Sequence, residues 1–473
     1  MSSEPASTSR TPDVSGPSGP AASPAPPRTP GPSSSPPPPP VSPPPAASPL
    51  PTASPPPAEG LWQDRDFRTF FSAVVLSQLA TQVNFVAIPL IAVLALGAGP
   101  GEVGLLATLG TVSFLLIGLP AGAWLDRLDH RRVMICAELV RGTLFLSLPL
   151  AWALDVLTLW QLAAVTLLTG CAMVFFDVGT QSMLPTLVDP ARLVQANAAV
   201  VGLQAAGQIA GRGGAGLAVQ VLSAPVTAVA TGLMFLGSVL RLTAVRVPAA
   251  PGAAKPSGRG PGLAGQIAEG LRHVLGSREL RALAAMGVLT NLGGTFLMTL
   301  MPVLFTREPG LSAATLGLFW SAGGIGIFLG SRFARRWGER YGYGRTMTVS
   351  ALLLSPGALL MPLVGGGWWL AVAVAGLLLD TVRLGAFNVL AVTLRQSLTP
   401  PELLGRMNAT FRFLFFGAIA VGAALAGVVG QYAGIRTAMW IGAGCLTLTF
   451  LPGLAWLRGG RWWRGAPGRT PLR

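Results

Sequence analysis

Residues 104–132 read GLLATLGTVSFLLIGLPAGAWLDRLDHRR, and residues 317–345 read GLFWSAGGIGIFLGSRFARRWGERYGYGR. Each is an apolar, glycine-rich run that ends in a short charged loop. Laid over one another, Trp124 falls on Trp337, Asp126 on Glu339, Arg127 on Arg340 and Arg132 on Arg345. A second pair of segments repeats in the same order. Gln181-Ser182, Leu193 and Asn197-Ala198 match Gln396-Ser397, Leu404 and Asn408-Ala409, with a short gap allowed. One such match is within reach of chance in so biased a composition. Two, each in the same loop between hydrophobic runs, argue that the chain is a duplication.

The composition says what is duplicated. Of 473 residues, 51% are apolar and only 11% charged, and the mean hydropathy is +0.58. Soluble domains carry roughly 25% charged residues. A helix that crosses hydrocarbon takes about 20 apolar residues, so the chain beyond Gly60 has room for about a dozen crossings. The 60 glycines lie largely inside apolar runs, where small residues let helices in lipid approach closely. The chain therefore reads as an all-α membrane protein with twelve transmembrane helices, built as two six-helix pseudo-repeats. Parallel repeats of this kind place a substrate site between the halves.

The expected crossings fall at roughly 68–96, 102–124, 133–153, 157–179, 195–220, 225–245, 281–304, 313–334, 346–364, 368–393, 410–432 and 437–457. Prolines within them, such as Pro89 and Pro356, are expected to kink rather than end a helix in lipid. The net charge of +15 lies between apolar runs. It is a topology signal and not a nucleic-acid footprint. With the amino terminus placed in the cytoplasm, the inner loops hold Arg127, Arg131, Arg132, Arg192, Arg246, Lys255, Arg259, Arg272, Arg278, Arg335, Arg336, Arg340, Arg345, Arg395 and Arg406. The outer loops hold Arg307 and Arg436. Both termini are expected to be cytoplasmic.

The expected organisation is a Pro/Ser/Ala-rich tail over 1–66, a six-helix bundle over 67–246, a linker over 247–280, a second bundle over 281–458 and a basic tail over 459–473. The first tail, with its unbroken Pro36–Pro40 run, cannot bury a core and is expected to be disordered. It is either a solvated tail or a ligand for proline-reading domains. Within the linker, Leu263, Ile267, Leu271, Val274 and Leu275 recur at helical spacing, which predicts a short amphipathic helix on the membrane surface. No signal peptide is expected, because the first apolar run is long enough to remain as a span.

The loop after the second run, Gly118-Leu-Pro-Ala-Gly122-Ala-Trp-Leu-Asp126-Arg127-Leu-Asp-His-Arg131-Arg132, resembles the signature loop of the major facilitator superfamily. The resemblance extends over nearly all of residues 67–457. Ser77-Gln78-Leu79, Ala87-Ile-Pro-Leu90, Glu138-Leu-Val-Arg141, Gln181-Ser-Met-Leu-Pro185 and Gly405-Arg406-Met-Asn-Ala-Thr-Phe-Arg412 resemble the branch of enterobactin exporters and macrolide-efflux proteins. In the family the loop carboxylate meets the start of the eleventh helix. That implies an Asp126 contact near residues 405–410, and duplication implies a mirrored contact of Glu339 near residues 195–197. A carboxylate is stabilised at a helix amino terminus. Gly122, Asp126, Arg127, Arg131, Arg132, Glu339, Arg340, Arg345 and Arg406 are thus gating candidates, with simple anchoring of helix ends as the alternative.

The fifth run carries Gly207-Gln-Ile-Ala-Gly211-Arg212-Gly213-Gly214-Ala-Gly216, similar to the glycine motif of exporters in this family. Gly207, Gly211, Gly214 and Gly216 are read as helix-packing positions. Arg212 stands where the family has proline, which puts the usual bend in doubt. A mid-span arginine costs about 2.5–3.5 kcal/mol on insertion scales and must face water or a carboxylate. It is either a substrate or coupling residue or a tolerated change. Glu138 with Arg141, and Asp380 with Arg383, are each three apart on one helix and can neutralise one another. Asp177 has no local partner. Either Arg212 or Arg141 from another helix pairs with it, or desolvation favours its protonated form and it is a proton-coupling candidate. Gln78, Gln82 and Asn84 are candidates to line a cavity or to bond between helices.

Cys136, Cys171 and Cys445 fit neither a disulfide framework nor a metal site, and His130 and His273 are isolated. No phosphate-binding glycine loop is present. The expected function is secondary transport, not enzymatic, with no cofactor beyond a proton gradient. The expected partners are a small-molecule substrate and the lipid bilayer, with no nucleic acid. The family resemblance implies a monomeric, multi-pass proton antiporter of the cell membrane that exports drug- or siderophore-like amphipathic molecules. An importer of a metabolite, or a scaffold that has lost transport, are the alternatives.

Overall fold

A computed structural model describes residues 61–125, 128–189, 192–246, 263–307 and 311–457. These residues form helices and, among them, no strand. The first half comprises α1 (Arg65–Leu96), α2 (Pro100–Leu125), α3 (His130–Ala153), α4 (Leu159–Leu187), α5 (Leu193–Ala206) with α6 (Arg212–Leu222), and α7 (Ala224–Ala244). The short α8 (Leu263–Gly276) follows. The second half comprises α9 (Arg278–Arg307), α10 (Ala313–Tyr341), α11 (Tyr343–Leu354), α12 (Trp368–Leu398), α13 (Leu404–Tyr432), and α14 (Ile435–Thr447) with α15 (Phe450–Leu457).

Eleven of these segments are long and apolar enough to cross a membrane unaided. The twelfth crossing, α5 with α6, is divided by a π turn at Gly207–Gly211. Twelve crossings in two sets of six are as expected. Three of them are less regular than the hydrophobic runs suggested. Beyond the π turn, α11 passes into a 3-10 run at Ser355–Leu363 that holds Pro356 and Pro362, and the last crossing breaks after Thr447. Where the missing proline of the fifth crossing put a bend in doubt, the π turn supplies an irregularity without one.

Helix starts follow local chemistry. The Asp64 carboxylate accepts from the Asp66 and Phe67 amides at 2.8 and 3.2 Å, Thr158 caps α4 and Ser312 caps α10. Such caps meet amides that the helix leaves unpaired. Gly97 closes α1 at a φ of 68°, where a side chain would be strained. The helical start reaches two residues into the stretch read as tail, and Leu61 before it is buried.

Strict alternation of the crossings brings the start of α1 and the α2–α3, α4–α5, α10–α11 and α12–α13 turns to one end. Arg131, Arg132, Arg335, Arg336 and Arg345 lie at this basic end. The opposite end carries Arg307 and Arg436. The apolar core differs between them. At the end opposite the basic one, a single cluster runs through both halves, from Leu90 and Val103 to Leu300, Leu316 and Ala426. At the basic end the core is two clusters. One lies in the first half around Phe67, Met134 and Phe176, and one in the second half around Leu283, Leu390 and Phe411.

Candidate functional site: a cavity between the halves

Two seams hold the halves together. In the first, α2 meets α13 backbone to backbone, and a Cβ placed on Gly104 would lie 2.5 Å from the Gly427 Cα. In the second, α6 meets α10, and a Cβ on Gly216 would lie 2.8 Å from the Gly317 Cα. Gly213 and Gly324 add to the second seam, the first against Ser321 Oγ and the second against Ile209. Only residues without side chains permit such approach in lipid. The glycine expectation holds for Gly216, and for Gly207 and Gly211, which face Gln78 and Gln82 of α1. It is corrected at Gly214, which has nothing within reach and is exposed. Gly213 and Gly216 share the face of α6 turned to α10, and Gly214 lies off it.

Between the seams lies a cavity of about 580 Å³, a volume typical of small-molecule sites. Its walls are mostly apolar. Polar groups reach it from α1 (Asn84), the π turn (Gln208), α6 (Arg212), α9 (Thr290, Asn291) and α12 (Asp380). Arg212 opens α6 directly after the π turn, and π turns often mark functional positions. Its Nε donates to Gln82 Oε1 at 3.0 Å, and its guanidinium carbon sits 4.2 Å from the Phe85 ring centre. Phe85 in turn meets Trp320 of the second half edge to face, at 5.1 Å. Asp380 is held by Arg383, whose Nε and Nη2 reach one carboxylate oxygen at 3.0 and 2.8 Å. Arg383 also donates to Thr290 at 3.1 Å.

Glu138 and Arg141 form a second buried pair, away from the cavity. Arg141 Nη1 lies 2.7 Å from Glu138 Oε1, with the two side chains 2% and 0% exposed. Arg141 also donates to Ser77 and Thr81 of α1, at 3.1 and 2.6 Å, and lies 3.9 Å from the Phe235 ring centre of α7. The local pairing expected at both sites is present. The sequence did not point to the ring of partners on α1, α7 and α9, because those contacts join distant parts of the chain.

Toward the basic end a narrower cleft of about 220 Å³ separates α2 and α4 from α13. Asp177 of α4 and Arg412 of α13 both line it. Asp177 forms no ion pair with a described residue, and Arg412 faces the same cleft from the other half. Of the two partners expected, Arg141 pairs with Glu138 and Arg212 lines the separate cavity, and sequence reasoning did not point to Arg412 as the neighbour of Asp177 in the cleft. A stacked pair, Phe114 of α2 and Phe416 of α13, with ring centres 4.5 Å apart, also lines this cleft.

Of the loop residues, Asp126 and Arg127 lie outside the described residues, while Gly122 lies in the last turn of α2. Arg131 donates through Nε to the Leu242 carbonyl at 2.9 Å and through Nη2 to that of Thr243, so it closes the end of α7. Arg132 pairs with Asp129 at 3.3 Å on the surface. Glu339 pairs with Arg335 of its own helix at 2.9 Å, and the mirrored contact to α5 is not made in this structure. Arg340 lies near Tyr341, and Arg345 is in the first turn of α11. Arg406 forms an ion pair with Glu269 of α8, which fixes the amphipathic helix to the start of α13. Of the polar residues on α1, Asn84 lines the cavity, Gln82 bonds Arg212 behind the wall, and Gln78 packs against Gly207. No cluster of potential metal ligands occurs among the described residues.

The Major Facilitator Superfamily profile matches residues 70–379 and 283–471. The chain is 27% identical over 350 residues to the multidrug efflux pump Tap of Mycolicibacterium fortuitum, which covers 71% of this chain and 82% of Tap. It is 27% identical over 380 residues to the enterobactin exporter EntS of Citrobacter koseri, covering 77% and 85%. Among solved structures it resembles a bacterial homologue of the human lysosomal transporter Spinster in an inward-facing, unoccupied conformation. That match has a TM-score of 0.64 at 13% identity, over 85% of this chain and 99% of the other.

Proposed function

The chain belongs to the Major Facilitator Superfamily, and from that premise we propose that it exports small amphipathic molecules across the cell membrane in exchange for protons. It is a multi-pass membrane transporter and not an enzyme. The observation that carries the reading is the unequal core. One apolar cluster bridges the halves at one end, two separate clusters stand at the other, and the cavity lies between. Two halves joined at one end around a central site are what alternating access requires.

The arginine bias supports a cytoplasmic basic end with both termini on that side. The structure is then an inward-facing one, ready to receive a molecule from inside the cell. The efflux relatives support export. In this reading Asp177 and Arg412 approach as the cleft closes, and the carboxylate of Asp177 exchanges its proton between that contact and water. Asp126, Glu339 and the loop arginines form the contacts that hold the basic end shut in the opposite state.

Inside-out vesicles carrying the full chain test this. Compounds from a panel of amphipathic drugs and siderophores are offered with ATP-free proton gradients, with and without a protonophore. Accumulation that the protonophore abolishes is expected. Accumulation indifferent to the gradient sinks the antiport mechanism, and uptake only into right-side-out vesicles reverses the direction.

A further inference from the structure

We propose that the cavity selects organic anions, through Arg212, and that a flat aromatic body on the substrate is received by Phe85 and Trp320. The inference deepens the transport reading and rests on it for the cavity's role. Three observations carry it. First, the one carboxylate among the described lining residues is already neutralised from behind the wall. Asp380 is spent on Arg383, with two hydrogen bonds to one oxygen. Glu138, Arg141, Asp177 and Arg412 do not line the cavity. Arg212 forms no ion pair among the described residues, and a guanidinium does not shed its charge. Counted with Arg383 behind Asp380, the described charges at this wall sum to plus one.

Second, the geometry of Arg212 leaves its binding face free. Gln82 takes the Nε hydrogen and Phe85 covers one face of the guanidinium. No hydrogen bond is made by either Nη nitrogen to a described residue. These are the groups that hold a carboxylate, phosphate or sulfonate in a two-pronged grip. Because the Gln82 bond and the ring fix the side chain, little freedom remains to be lost when an anion arrives. Third, the apolar surroundings make an unpaired cation costly there. An anionic ligand removes that cost, whereas a cationic one would add a second positive charge. The aromatic pair beside it, Phe85 from the first half and Trp320 from the second, would contact a ring on the same ligand from both sides of the interface.

The test is equilibrium binding to the purified full-length chain, read as a thermal shift titrated with three matched probes. These are 2-naphthoate, its methyl ester, and (2-naphthylmethyl)trimethylammonium. The carboxylate should bind at least about tenfold tighter than either of the others, the scale of one charge-assisted hydrogen bond. Arg212→Gln should erase that preference and leave the ester unchanged, while Arg212→Lys should restore part of it. Gln208→Glu, one turn before Arg212 on the cavity wall, should erase it too by supplying an internal partner, and it keeps the arginine should Arg212→Gln fail to fold. A wild-type preference for the ester or the ammonium overturns the proposal. So does failure of all three probes to bind at millimolar concentration, or a carboxylate affinity indifferent to both Arg212→Gln and Gln208→Glu. The binding result is separable from the transport reading. Anion preference without flux in vesicles would leave the site standing and remove the exporter, and flux of neutral compounds without anion preference would do the reverse.

Discussion

Arg141 and Arg383 each have a carboxylate three residues earlier on the same helix and a hydroxyl from a neighbouring one. Arg212 has neither. The difference predicts different consequences of removal. Arg141→Ala strands the fully buried Glu138, and breaking a buried pair on one side costs about 3–5 kcal/mol. A large fall in denaturation midpoint in detergent is expected, and the double variant Glu138→Gln/Arg141→Gln should lose less than the sum of the two single changes. Additive losses would mean that the two do not act as a unit. At Asp177 the expectation concerns coupling. Asp177→Asn should keep exchange of substrate down its own gradient while abolishing uphill accumulation, with counterflow and gradient-driven uptake measured in the same vesicles. Retained uphill accumulation removes Asp177 from the proton path.

Among the elements, the π turn at Gly207–Gly211 has the largest effect on the site. An α-helix turns about 100° per residue. Inserting one alanine between Gly211 and Arg212 should turn Arg212 by about that angle, off the cavity wall, and loss of 2-naphthoate binding is the expected result. The same turn explains what the sequence could and could not convey. The runs that became α1 to α4, α7, α9, α10, α12 and α13 are legible because burial in lipid depends on length and apolarity alone. Gly207 and Gly211 are legible because two glycines four apart share a helix face. Gly214 looks the same as its neighbours in residue type, and only the positions of α1 against Gly211 and of α10 against Gly213 and Gly216 leave it exposed. Nothing in the residue types announces the π turn. The Asp177–Arg412 cleft is illegible for another reason. It joins positions far apart in the chain and across the two halves, and local spacing carries no record of such neighbours.

At the scale of the molecule, the joined end can be tested by a disulfide. A Cβ on Gly101 would lie 3.7 Å from the Gln431 Cβ, within the roughly 3.5–4.5 Å of a disulfide. In a chain whose Cys136, Cys171 and Cys445 are replaced by serine, Gly101→Cys/Gln431→Cys should cross-link spontaneously and stop transport until a reductant is added. Gly118→Cys/Ala409→Cys, across the cleft toward the basic end, should cross-link only during turnover. Ready cross-linking of that second pair at rest would contradict the open basic end. Labelling of Arg336→Cys from the cytoplasmic side, and of Arg307→Cys from the outside, checks the orientation that the arginine bias assigns.

The shared apolar cluster behind Gly104 and Gly427 also bears on thermal kinetics. When the halves part there, surface that was dry becomes wet, and wetting hydrocarbon raises heat capacity. The stroke that exposes this end should therefore have an activation enthalpy that changes with temperature, so that its Eyring plot curves. The opposite stroke, which parts no common core, should give a straighter line, and the two half-reactions are distinguishable by how each responds to warming.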